Sequence, residues 1–238
     1  MLRTMLLFLA VLATVSACQP PEPPPPRPPP GKPAASAEPA IAVDPQEAQA
    51  KRADGLTGGQ LVFQDDFARE ELGADWLLRQ PGEWTLEEGT LRSNRVEKDD
   101  DRNQGVWLQK PLPDKVRIEF ESKSLSPAGD TKCEVFGELP KHESGYSVIF
   151  GGWNNTLNTI ARKGEHETSR VVQRDHQKVE RGRLYHWTIV RNDNVVRWYI
   201  DGKFMVAYDD ASPVKGHNFG FNNWATDVRF GHLRVYAL

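Results

Sequence analysis

The folded part of the chain is predicted to be all-β, a two-sheet antiparallel sandwich, on three observations. From about residue 60 onward, apolar residues recur with a period of two rather than 3.6. Asp201-Gly202, the strongest short-range hairpin signal, sits between two such runs. No long stretch carries the stripe of an amphipathic helix. With 238 residues, 38% of them hydrophobic, and seven tryptophans, there is enough apolar material for one well-buried domain.

Taken in order, residues 1–17 carry a cation at Arg3, an apolar run from Met5 to Val15, and small residues at Ser16 and Ala17. This is the shape of an export signal, and the run is too short to span a bilayer. "VSAC", Val15 to Cys18, resembles the lipobox of bacterial lipoproteins. The resemblance implies that Cys18 is lipid-modified and becomes the first mature residue, held on a membrane more firmly than a single chain would allow. Gln19 rather than aspartate follows it, which by resemblance to Gram-negative lipoproteins implies the outer membrane. The alternative is an ordinary secretory signal that happens to contain a cysteine.

Residues 18–59 are dense in proline, which cannot build helices or central strands and favours extended polyproline II. They are expected to form a semi-rigid tether, with one possible helical turn at "PQEAQAKRA"; docking into an aromatic groove is the lesser alternative. Only Cys18 and Cys133 exist, so lipidation of the first leaves no internal disulfide, and Cys133 reads as a small buried hydrophobe. Net charge is -3 with scattered cations, which argues against nucleic acid as a partner.

Residues 60–238 hold the strands. "KVRIEFESK" (Lys115 to Lys123) sets Arg117, Glu119, Glu121 and Lys123 on a face expected to be wet, against Val116, Ile118 and Phe120. "DTKCEVFGE" does the same with Asp130, Lys132, Glu134 and Glu138 against Cys133 and Val135. Leu184 to Asp210 reads as three strands, the last two joined by Asp201-Gly202.

The stretch "YHWTIVRNDNVVRWYIDGKFMVAY" (Tyr185 to Tyr208) resembles a hairpin of the concanavalin A-like lectin and glucanase superfamily, including laminin-G-like domains. The opening "DDF" with Trp76 nine residues after Phe67, "WTLEEGTL", and the closing "VRFGHLRVYAL" with Phe230, Leu233 and Val235 extend the likeness over nearly all of residues 60–238. The resemblance implies a jelly roll. It leaves function open, because that fold hosts lectins, glycoside hydrolases, lyases and interaction modules.

Two triplets stand out for a binding role. Trp153-Asn154-Asn155 and Asn222-Asn223-Trp224 both end apolar strands and both combine a flat aromatic face with amides, the chemistry that sugar recognition needs. Asparagine also caps turns and sandwich tryptophans are usually core, so a structural role competes. Arg162, together with His166, could meet an acidic sugar.

Catalysis is less well supported. The laminarinase-type relatives carry Glu-x-Asp-x-x-Glu on a groove strand, and this chain has no such motif. Glu119 and Glu121 alternate with cations and read as surface. Carboxylates from different strands could still meet; Glu134 with Glu165 is the candidate hydrolase pair, and His166, Arg162 and Tyr146 the candidate lyase set. Resemblance to the 3-keto-disaccharide hydrolase-like branch of the superfamily keeps a hydrolase open. The histidines lack ligand spacing and no cysteine pair exists, so no metal or other cofactor is expected. Calcium is the exception held open, at "EKDDDRN" and "YDD". The sequence thus predicts an exported, membrane-anchored glycan-binding sandwich, with a polysaccharide hydrolase or lyase and a structural or protein-interaction module as alternatives.

Overall fold

A computed structural model describes residues 51, 54–79, 83–95, 104–166, 170–173 and 176–238. The signal, Cys18 and most of the tether lie outside the described residues, as does "EKDDDRN". No described helix is long and apolar enough to cross a membrane.

The described chain is a jelly roll of two antiparallel sheets. The strands are β1 (Gln60–Asp65), β2 (Trp76–Leu78), β3 (Thr85–Glu87), β4 (Thr90–Ser93), β5 (Gln104–Leu108), β6 (Val116–Ser124), β7 (Thr131–Gly137), β8 (Tyr146–Gly151), β9 (Leu157–Arg162), β10 (Arg170–Val172), β11 (Tyr185–Asn192), β12 (Val195–Ile200), β13 (Lys203–Asp209), β14 (Asn218–Asn223) and β15 (Val228–Ala237). The first sheet runs β13-β12-β11-β6-β15-β4-β3, with β1 also paired to β15; the second runs β10-β9-β8-β7-β14-β5-β2.

The predicted hairpin joins β12 to β13, and Asp201 (φ 51°) and Gly202 (φ 74°) both take the left-handed backbone that a tight two-residue turn demands. Between the sheets the core is aromatic. Phe221 of β14 stacks on Phe230 of β15 at 4.2 Å, and Phe120 of β6 touches Phe219, Phe221, Phe230 and Trp187. Trp187 and Trp198 stack at 5.0 Å, with Phe150 of β8 edge-on to both. Offset and edge-to-face rings interlock the layers, and truncating Phe120 or Phe221 to alanine should cost about 3–5 kcal/mol.

Two strand faces depart from the expected pattern. Arg117 is buried: its guanidinium lies 4.1 Å from the Tyr236 ring and donates to the carbonyls of Gly55 and Gly58. Residues 54–59 thereby pack on the sandwich instead of hanging free. β6 and β7 also belong to opposite sheets, and β7 is buried on both faces. Cys133 sits on its core face, and burial pushes its thiol pKa well up, consistent with a structural hydrophobe. Lys132 and Glu134, expected to be wet, are 2% and 1% exposed, because loops cover that face, with His142 and Glu143 bonded to Glu134 and Glu165 to Lys132.

Candidate functional site

Strand register decides which residues share the outer face of the second sheet. Thr159, Ile149, Lys132, Asn222 and Gly105 lie opposite one another as one row across β9, β8, β7, β14 and β5. The next row holds Ala161, Ser147, Glu134, Gly220, Trp107 and Leu77. Gly220 belongs in this row because a side chain there would run into the Trp107 ring, 2.8 Å from its Cβ position.

Loops from neighbouring strands close one end of this face into a cavity of about 410 Å³. Its lining includes Asp130 and Lys132 from the β6–β7 turn and β7, Glu143 from the β7–β8 loop, Trp153 and Asn154 after β8, Glu165 and His166 after β9, and Trp224 after β14. The two tryptophans of the sequence triplets therefore face one space.

Each wall is held by its own chemistry. Gly152–Asn155 forms a single helical turn in which Trp153 (φ 51°, ψ 54°) and Asn154 (φ 59°, ψ 46°) are left-handed. The turn is closed by the Thr156 amide on the Gly152 carbonyl and the Thr156 hydroxyl on the Trp153 carbonyl. The Asn155 amide then donates to and accepts from the Val179 backbone at 2.8 Å each. His166 meets the Trp153 ring edge-on and the Arg170 guanidinium lies 5.0 Å over it. On the opposite wall, Asn223 is fully buried and bonds Ser93, Gln104 and Thr226, which fixes the turn that presents Trp224.

The floor is charged. Glu134 and Asn222 do not line the cavity: Glu134 contacts Nδ1 of His142 and accepts the amide of Glu143, while Asn222 donates to it. Lys132 places its ammonium 3.2 and 3.3 Å from the two Glu165 oxygens, and Glu143 accepts the Glu165 amide at 2.6 Å. Burial lowers the Lys132 pKa, but Glu165 and Asp130 outweigh it and hold the ammonium charged. Asp130 is different. Its amide donates to the Gly151 carbonyl and its carbonyl accepts from Thr226, so its backbone is clamped. The residue is 9% exposed, and its Oδ1 finds no hydrogen-bond partner. Burial pushes its pKa up to about 6, opposed by Lys132 and reinforced by Glu165.

Backbone strain gathers here. Asp130, Glu143, Trp153, Asn154 and Ala225 all line the cavity and all have φ between 51° and 59°. Left-handed backbone at such residues costs on the order of 1–2 kcal/mol each, and it persists where the surroundings over-determine it, commonly at ligand sites.

The remaining sequence candidates lie elsewhere. Asn155 and Asn223 spend their amides on backbone and neighbouring side chains, and Asn222 bonds Glu134 outside the cavity lining. Arg162 is paired with Asp210 at 2.7 Å and the Ser212 carbonyl, and it does not line the cavity. Tyr146 is buried in the core, donates to Asp210, and has its pKa pushed up to about 12, chiefly by burial, so it is a poor base. Sequence reasoning missed Asp130, Lys132 and Glu143 as members of the site. The signal was present in the polar alternation of β7, but it looks the same whether the polar face meets water or a pocket.

Two further chemistries can be weighed. His142, Glu143 and Glu165 bring one ligand atom each within 4.8 Å of one another, a grouping hidden by their linear spacing. The Lys132 ammonium beside Glu165 opposes a divalent cation in that position. Glu143 and Glu165 also approach the separation of a retaining carboxylate pair, ~5–5.5 Å. Both are already engaged, however, in the Lys132 and Glu165 amide bonds.

Residues 136–234 match the model of a family described as farnesoic acid 0-methyl transferase, which is under half of the chain. No curated protein matches the chain. Among solved structures, the chain is similar to the laminarinase from Flavobacterium sp. UMI-01 (11% identity, TM-score 0.57, covering 75% of this chain and 100% of that one). It is similar to the Bacillus licheniformis beta-glucanase (11%, TM-score 0.56, 76% and 100%) and to the carbohydrate binding module CBM66 from Bacillus subtilis (13%, TM-score 0.55, 69% and 96%). At such identities the likeness is one of fold, and that fold is the two-sheet jelly roll described above.

Proposed function

We propose that the domain binds a carbohydrate in the cavity between Trp153 and Trp224. The observation that carries this is the convergence of two partly exposed indoles and a clamped, buried carboxylate with an unused acceptor on one strained cavity. Indole faces cover the C–H patches of a pyranose, and Asp130 accepts from its hydroxyls. The fold shared with a carbohydrate binding module and two glucanases supports this reading. Binding fits better than hydrolysis, because the closest carboxylate pair is tied up in holding the loops.

The test is a glycan array and titration calorimetry on the full chain, with Trp153→Ala and Trp224→Ala alongside. Each variant should weaken binding by about 10- to 100-fold while unfolding within about 1 kcal/mol of the parent. Unchanged affinity in both would remove the cavity assignment. Release of new reducing ends from polysaccharide, lost in Glu165→Gln, would establish the hydrolase reading instead.

For location, Cys18 is proposed to carry lipid and residues 18–59 to tether the domain to the outer membrane. Mass spectrometry of the mature amino terminus tests this. An unmodified Cys18, or a Cys18→Ser variant still in the membrane fraction, would overturn it.

A further inference from the structure

Resting on the glycan reading of this cavity, we propose that it selects sugars carrying a free amine, a 2-amino-2-deoxy sugar without its acetyl group, which Asp130 receives.

Among the described residues, three carboxylates line the cavity, from Asp130, Glu143 and Glu165, with one ammonium, that of Lys132. Lys132 is shared between both Glu165 oxygens, and Glu143 takes the Glu165 amide. Those groups are spoken for. Of the three, Asp130 keeps a buried oxygen, Oδ1, without a donor, and its backbone is fixed by one hydrogen bond on either side. An occupant that brings a donor to the Asp130 carboxylate compensates this buried charge. It gains more if that donor is charged, because the carboxylates outnumber the cation and a charge-assisted bond is roughly twice as strong as a neutral one. The indole walls favour the same occupant, since an ammonium is attracted to aromatic faces.

The competing occupants fit less well. A uronate would meet three carboxylates, and the arginine that sequence reasoning offered for it, Arg162, is committed to Asp210 and Ser212. Arg170 lies against the Trp153 ring and contacts the Glu165 carbonyl, so it flanks the wall instead of crossing the floor. A divalent metal would sit beside the Lys132 ammonium and would find no ligand on the indole walls. An acetylated sugar lacks the charge and adds bulk where the ammonium would approach Asp130.

The experiment is calorimetric titration of the full chain near neutral pH with two oligosaccharides of equal length, a glucosamine hexamer and an N-acetylglucosamine hexamer. The parent should bind the glucosamine hexamer at least about tenfold more tightly. Asp130→Asn, which keeps the shape and removes the charge, should bring the two affinities within about threefold of each other, with its folded state checked by circular dichroism. Equal affinities in the parent would overturn the amine proposal while leaving the glycan reading standing. An unchanged preference in Asp130→Asn would show unspecific attraction of a polycation to an acidic protein, and would overturn it too. Saturable binding of calcium chloride alone, abolished in Asp130→Asn, would give the cavity to a metal and end the proposal. Failure of both hexamers overturns it as well; the glycan array then decides whether the broader reading survives.

Discussion

The two tryptophan–asparagine triplets have one composition and different engineering. In the first, Trp153 and Asn154 stand on a left-handed turn outside the sheet, closed by the Thr156 hydroxyl and tied to the Val179 backbone by Asn155. In the second, the asparagines come first and both lie within β14, with Asn223 fully buried in a network of side chains and backbone. Both send a tryptophan into the same cavity. The lesson is a division of labour that residue type alone does not announce: in each triplet the indole faces the ligand space, and at least one amide is a structural fastener. Asp130 joins the two, since its amide bonds Gly151 beside the first triplet and its carbonyl accepts from Thr226 beside the second.

That division can be broken most forcefully at Asn223. Asn223→Ala leaves Ser93, Gln104 and the Thr226 amide and hydroxyl short of a partner in a site with no access to water, and should lower stability by about 3–5 kcal/mol in urea denaturation. Asn155→Ala removes the two bonds to Val179 and a long one to the Pro127 carbonyl at a half-buried turn, and should lower it by only about 1–2 kcal/mol, while impairing ligand binding through Trp153. Equal losses would mean that the first triplet is anchored as deeply as the second.

Between those two in size stands Asp130. Its pKa in the folded protein is about 6 against an ordinary 3.8, because burial and Glu165 disfavour the charge by more than Lys132 favours it. The folded state thus holds this proton more tightly than the unfolded one. Ionising Asp130 then destabilises the fold: the penalty is absent below about pH 4, grows between about pH 4 and 6, and is complete above that, reaching roughly 3 kcal/mol. Asp130→Asn should accordingly be more stable than the parent at pH 7.5 and converge with it near pH 4, as followed by melting temperature. A gap that stays constant with pH would show that Asp130 is not the strained charge in the cavity. A gain in stability with a loss of binding would mark the residue as one kept for its ligand.

How much of this could be read from the sequence follows from the range of the forces involved. The period-two alternation of β6, the three strands between Leu184 and Asp210, and the Asp201-Gly202 turn are set by neighbours in the chain, and each lies where the sequence places it. The grouping of Trp153 with Trp224 was legible only as shared composition; the register of β8, β7 and β14 is what brings them together. Lys132 and Glu134 were misplaced as wet residues because alternation reports a polar face and does not report the loops that later cover it. Arg117 was misplaced for a similar reason, since the segment that buries it, with Gly55 and Gly58, is remote in sequence.

The smallest effect sharpens the comparison most directly, because it touches the backbone and spares the walls. Asn154 is solvent-exposed, makes no structural side-chain bond of the kind that Asn155 and Asn223 make, and sits at φ 59°, ψ 46°. Glycine adopts that conformation without steric penalty, so Asn154→Gly should raise stability by up to about 1 kcal/mol, offset in part by the greater freedom of glycine in the unfolded chain. Asparagine is already the non-glycine residue that tolerates this region best, which keeps the gain small. Trp153, next in the same left-handed turn, pays the larger strain and cannot be relieved without losing the indole. If Asn154→Gly stabilises the protein and weakens the glycan, the amide of Asn154 belongs to the ligand; if it stabilises the protein and leaves affinity unchanged, only Trp153 in that turn does.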